Sequence, residues 1–154
     1  MIQAMRRKDR ELSRSEAIDI LTQGDYGVLS VNGDDYAYGI PMSYIYINNS
    51  LYFHCATEGK KLTYIHNDNK VTFCVVRGAV TVPDKFSMNY HSAIAFGTLA
   101  EVSDAAEKYQ ALLGFVEKYS PDYREEGIKY ADRDGHKTIV FKLALEHLTG
   151  KARR

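Results

Sequence analysis

The chain has 154 residues, with 20 Lys plus Arg against 20 Asp plus Glu, so its formal charge is +0. This balance excludes a general nucleic-acid or anionic-membrane binder, whose affinity comes from neutralised phosphates. Hydrophobic residues at 45% and charged residues at 26% exclude a disordered chain and predict one globular domain over residues 1–154.

The amino terminus, MIQAMRRKDR, lacks the apolar stretch of a secretory signal, and no apolar run approaches the ~20 residues of a membrane span. Two cysteines, Cys55 and Cys74, cannot build a disulfide framework and have no zinc-site spacing. A soluble cytoplasmic protein with reduced thiols is expected. Twelve Tyr and no Trp point to interfaces and half-buried ligand sites, where a polar tip on an aromatic body is useful.

In chain order, Ser13 and Glu16 form a capping box for a helix whose apolar face is Ala17, Ile18, Ile20 and Leu21, ended by Gly24. Tyr26–Val31 predicts a strand, with Asn32-Gly33 as its hairpin turn. Tyr36–Ile47 predicts a second strand broken at Gly39 and Pro41, because proline cannot donate to a ladder. Asn48-Asn49 turns the chain into Leu51–Ala56, where Leu51, Phe53 and Cys55 share one face and Tyr52, His54 and Ala56 the other.

Thr57–Asn67 predicts a short helix and Val71–Arg77 a strand. Gly78–Asn89 is expected as a loop around Pro83, before a long strand at Tyr90–Val102 with a bulge or bend at Gly97. A helix capped by Asp104 runs to Tyr119, and a weaker one, interrupted by Gly127, covers 124–131. Thr138–Leu145 is the last strand, followed by a basic tail. Six strands joined by short turns predict an α+β fold, a closed or nearly closed antiparallel barrel with flanking helices. An open α+β sheet is the alternative.

The segment from Tyr52 to Lys61 carries most of the chemistry. Lys60 and Lys61 fall in the first turn of the predicted helix, where the dipole favours anions. Two readings fit: a solvated lysine pair at a frayed start, or a phosphate site built from backbone N–H groups, Thr57 and two ammonium groups, with Gly59 permitting close approach. His54, facing with Tyr52, is either a hydrogen-bonded structural histidine or a ligand contact. Gly39–Tyr44 is either a barrel-corner bulge or a source of backbone groups for the edge of a heterocycle, with the Ser43 hydroxyl beside it. Ser92, at the start of the long strand, suits ordinary polarity, a ligand or a partner subunit. Cys55 and Cys74 are both expected as core thiols. The chain has no P-loop, no GxGxxG and no GxSxG.

Taken in order, several segments resemble the flavin-binding split-barrel superfamily, also called pyridoxamine 5′-phosphate oxidase-like. The nearer branch is that of the nitroimidazole-resistance proteins. The segments are Met5–Leu12, Tyr26–Ser30, Tyr38–Tyr44, Leu51–Ala56 with Gly59-Lys60-Lys61, Ser92–Gly97 and Leu148–Lys151. The resemblance spans nearly the whole chain.

It implies a six-stranded split barrel and a homodimer with FMN at the subunit interface. Ile40, Pro41, Met42, Ser43 and Tyr44 with Phe53, His54, Cys55 and Ala56 would line the flavin. Gly59, Lys60 and Lys61 would hold its phosphate, and Ser92 would approach from the second subunit. His54 is the one candidate for a catalytic role. The implied function is an FMN-dependent oxidoreductase acting on nitroaromatic or quinone-type compounds, with a nicotinamide donor. The alternative is a flavin or haem carrier or sensor of the same fold, since a fold does not settle chemistry. A nucleic-acid-binding barrel ranks last, because the chain lacks positive charge.

Overall fold

The computed structural model describes residues 2–154 and has nine strands and four α-helices among them. A two-residue strand, β1 (Glu11–Leu12), leads into α1 (Arg14–Gln23). The capping box forms: the Ser13 hydroxyl accepts from the Glu16 amide, and the Glu16 carboxylate accepts from the Ser13 amide. Gly24 ends the helix, although its φ of −70° is open to any residue. Glycine is required there by contact, since a Cβ would lie 2.5 Å from the Tyr44 hydroxyl and from Val75.

Strands β2 (Gly27–Asn32) and β3 (Ala37–Met42) form the expected hairpin, but Asn32 and Ala37 are already paired, so the loop has four residues rather than two. Its closing bond runs from the Gly33 amide to the Tyr36 carbonyl. Pro41 stays inside β3, which the edge position of that strand allows. The break comes later, at Ser43-Tyr44, where the chain leaves β2 as its partner. The next strands, β4 (Ile45–Ile47) and β5 (Ser50–Cys55), pair with each other across the Asn48-Asn49 turn. Both asparagines have positive φ, 48° and 60°, as a tight primed turn demands.

Helix α2 (Lys60–Asn67) starts later than the expected Thr57, with Gly59 at its cap. The region foreseen as a loop around Pro83 is instead the end of a long hairpin, β6 (Lys70–Val82) with β7 (Ser87–Glu101). Pro83 sits in the tip, and an irregularity between Arg77 and Val80 lets the ladder continue on both sides. Helices α3 (Ala105–Tyr119) and α4 (Arg124–Asp134) follow. Gly127 does not break α4. It lets α4 approach α3, because a Cβ there would meet Val116 at 2.5 Å.

The chain ends in β8 (Ile139–Ala144) and β9 (His147–Arg153). The basic tail is therefore a strand, paired with β7 over Tyr90–Phe96 and with β1.

The strand order is β3-β2-β6-β7-β8-β5-β4, all antiparallel, with β9 branching from β7. The α+β fold and the split barrel stand as expected; the strand count rises from six to nine. The split arises at β7, which pairs with β9 over Tyr90–Phe96 and then with β8 from Leu99. Gly97 lies at this exchange without a bulge, and a Cβ on it would stand 2.4 Å from the Ala144 carbonyl oxygen.

The main core fills the barrel with α1 residues, Leu29, Tyr44, Leu51, Phe53, Phe73, Val75 and Leu143. A second core of Ile45, Tyr52, Val102, Ala111, Phe115 and Val140 seals α3 against β4, β5 and β8. Among the described residues no helix is long and apolar enough to cross a membrane.

Candidate functional site

Strand β5 is covered on both faces, and its alternation decides what each residue can do. Leu51, Phe53 and Cys55 point into the barrel core. Tyr52 points into the second core, and His54 follows it on that face but stays exposed at the strand end. The His54 ring meets Phe115 of α3 edge-on, with centroids 4.4 Å apart and planes at 88°. Partial desolvation of the ring, and then the nearby Lys61 ammonium, lower the His54 pKa from 6.5, which favours the neutral imidazole. Burial pushes the Cys55 thiol up, with Lys61 opposing it, so Cys55 is an un-ionised core group. Cys74 departs from expectation: it is only partly buried, on the face of β6 opposite Phe73 and Val75.

Beyond Cys55, the chain leaves the barrel through exposed Ala56 and Thr57 to Gly59, whose φ is +141°. A side chain is strained in that backbone conformation, and nothing lies within 4 Å of where a Cβ would stand. Lys60 and Lys61 then occupy the first turn of α2, which has no acidic residue. The Leu62 amide bonds the Gly59 carbonyl, leaving the first amides of the helix without intrahelical partners. Among the described residues neither lysine joins an ion pair. Lys60 Nζ lies 6.0 Å from the centre of the Tyr38 ring, which meets Tyr64 of α2 at 5.5 Å. The start of α2 thus lies beside β3. Ile40 and Met42 of β3 pack on the same core as Cys55 and Leu62. Pro41 is exposed on the other face of β3, opposite Val28.

Tyr44 and Phe53 enter the site only through the backbone, because both side chains are fully buried. The Tyr44 hydroxyl donates to the Leu21 carbonyl at 2.5 Å. Its amide donates to the Tyr119 hydroxyl, and its carbonyl accepts from Lys118 Nζ at 2.8 Å. Of the backbone groups in Gly39–Tyr44 that could face a heterocycle, those of Tyr44 are taken by α3. Ser43 remains exposed. Ser92 lies apart, on β7 between Val76 and Lys151, where its hydroxyl donates to the Lys151 carbonyl at 3.4 Å.

Sequence reasoning missed the neighbourhood of His54. A cleft of about 650 Å³ lies beside it, lined by Phe115, Tyr119, Tyr123 and Tyr130 and reaching Ser43. The available signal was the run of aromatics across α3 and α4, which the sequence does not by itself direct to one side. Among the described residues no group of three or more His, Cys, Asp or Glu could hold a metal ion.

Residues 13–152 match the family model described as pyridoxamine 5′-phosphate oxidase. The solved structures that share the fold include the following three. One is described as a candidate 5-nitroimidazole antibiotic resistance protein from Bacteroides thetaiotaomicron, 24% identical over 92% of this chain and 86% of that one, with a TM-score of 0.76. A conserved hypothetical protein from Mycobacterium tuberculosis is 17% identical over 98% and 91%, with a TM-score of 0.83. An FAD and haem binding protein from Mycobacterium smegmatis is 19% identical over 94% and 74%, with a TM-score of 0.71. No curated protein matches the chain in sequence.

Proposed function

The chain belongs to the pyridoxamine 5′-phosphate oxidase family, and from that premise we propose that it binds FMN and works as a flavin-dependent oxidoreductase on small aromatic acceptors. The observation that carries the proposal is the start of α2. Two lysines, amides without intrahelical partners and an open Gly59 share the first turn of α2, where a helix dipole attracts anions. One such helix start suits the single phosphate of FMN.

In this reading Lys60 and Lys61 hold the phosphate, and Ile40 and Met42 supply an apolar wall. Bound flavin supplies hydride and electron transfer, with a nicotinamide as the donor class. Neutral His54 can hold or release a proton at its imidazole nitrogens beside the ring system, and Ser43 offers a hydroxyl.

The protein acts as a homodimer. Val28, Val76, Val80 and Met88 are exposed on β2, β6 and β7, and Phe86 at the hairpin tip is 96% exposed. An apolar surface of this kind marks an interaction face. Ser92 of the partner subunit would then approach the flavin.

A visible spectrum of the purified chain, before and after FMN addition and desalting, tests the cofactor. Retained flavin bands are expected. A colourless protein that retains no FMN overturns the proposal. The likeness to an FAD and haem binding protein favours a second reading, a carrier without turnover. Oxidation of a nicotinamide donor by the flavin-loaded protein selects the enzyme, and its absence the carrier.

A further inference from the structure

We infer that the cleft between α3, α4 and β5 binds an uncharged planar aromatic molecule. Its volume, about 650 Å³, lies in the range of small-molecule sites. The near-contact of Gly127 with Val116 holds the two helices together at its base. Phe115 and Tyr119 form one wall, their rings 6.1 Å apart and nearly parallel at 16°. Tyr123, just ahead of α4, and Tyr130 of α4 are 66% and 61% exposed, and Arg133 lies over the Tyr130 ring at 5.5 Å. Flat aromatic walls suit a flat ring through offset or edge contacts.

Charge narrows the ligand class. Among the residues lining the cleft, Glu126 is the one acidic side chain and His54 the one imidazole, and the lining holds no lysine or arginine. Partial desolvation and Lys61 favour the neutral form of His54. The adjoining opening past His54 includes Lys137, but this is paired with Asp134 at 3.3 Å. A carboxylate or phosphate ligand would meet Glu126 with no lysine or arginine among the lining residues to offset it. An uncharged ring meets only aromatic faces and hydroxyl groups. Because Ser43 and His54 border the cleft, its occupant would stand next to the flavin. That acceptor role rests on the function proposed above, while binding itself does not.

The test compares 1,4-dinitrobenzene with 4-nitrobenzoate, a similar ring carrying a negative charge, by equilibrium dialysis against the full chain with and without FMN. We expect at least tenfold tighter binding of dinitrobenzene in both forms. The Tyr123→Ala/Tyr130→Ala variant should lose at least tenfold in dinitrobenzene affinity. Glu126→Lys, which leaves the tyrosines in place, should narrow the preference at least threefold. Equal affinity for the two probes, or undiminished dinitrobenzene binding by the tyrosine variant, overturns the inference. If the tyrosine variant fails to fold, unchanged selectivity in Glu126→Lys does so. Retained FMN with no dinitrobenzene binding removes the cleft alone. Dinitrobenzene binding without FMN retention removes the flavin proposal and leaves the cleft.

Discussion

The Tyr119 hydroxyl of α3 lies 3.0 Å from the Tyr44 amide nitrogen and 2.9 Å from its carbonyl oxygen. It accepts from the amide and also reaches the Asp25 carbonyl at 2.7 Å. One side chain from late in the sequence thus fixes the point where the chain leaves β3 for β4. Lys118 adds a bond to the same carbonyl and places its ammonium 3.8 Å from the centre of the Tyr44 ring. The Tyr44 ring in turn is fixed by its bond to Leu21 of α1.

Removing that last bond should be costly for its size. Tyr44→Phe leaves the Leu21 carbonyl without its partner in a buried place and should destabilise by about 1–3 kcal/mol. Urea unfolding measures it, and an unchanged midpoint would show that the bond adds no net stability.

Burial lowers the Lys118 pKa from 10.5 to about 8. A depressed folded pKa means that the unfolded chain binds more protons between those values. Stability linked to Lys118 is therefore fully present above pH 10.5 and is lost as pH falls through 8. The stability of the parent relative to Lys118→Met should rise between pH 8 and pH 10. A flat difference would mean that the Tyr44 carbonyl and ring offset the desolvation.

The same sign applies to His54. Its contribution is present above pH 6.5 and is lost as pH falls through the lowered folded value. An NMR titration should find its midpoint below 6.5. Lys61→Ala should raise that midpoint, but not fully, since burial is the larger cause. A midpoint unmoved by the substitution would place Lys61 too far from the ring to matter.

Replacing Lys60 and Lys61 together with Ala should weaken FMN binding by at least tenfold and leave the unfolding midpoint close to the parent's, since Lys60 is exposed and neither lysine is in an ion pair among the described residues. FMN retention equal to the parent's would put the phosphate elsewhere.

Two glycines separate contact from conformation. Gly24→Ala keeps an allowed φ but drives a methyl into Tyr44 and Val75, at a cost of about 1–3 kcal/mol. Gly59→Ala meets open space but a φ of +141°, so its cost of about 1–2 kcal/mol is conformational. The Gly24 variant should bind FMN normally once folded, and the Gly59 variant should bind it less tightly. The opposite pattern would contradict both assignments.

Features set by neighbours along the chain are legible in the sequence. The capping box at Ser13, the Asn48-Asn49 turn, the two faces of β5 and the lysine-rich start of α2 all follow from local hydrogen bonding, allowed φ and side-chain period. These features also carried the family resemblance, which the match over residues 13–152 bears out. Features set by distant partners emerge only in the folded chain. The last residues form β9 because β7 offers them a free edge over Tyr90–Phe96. The chain breaks at Ser43-Tyr44, not at Pro41, because Tyr119 and Lys118 satisfy the backbone there. The cleft beside His54 exists because Gly127 brings α4 against α3, a contact between residues whose proximity no local pattern encodes.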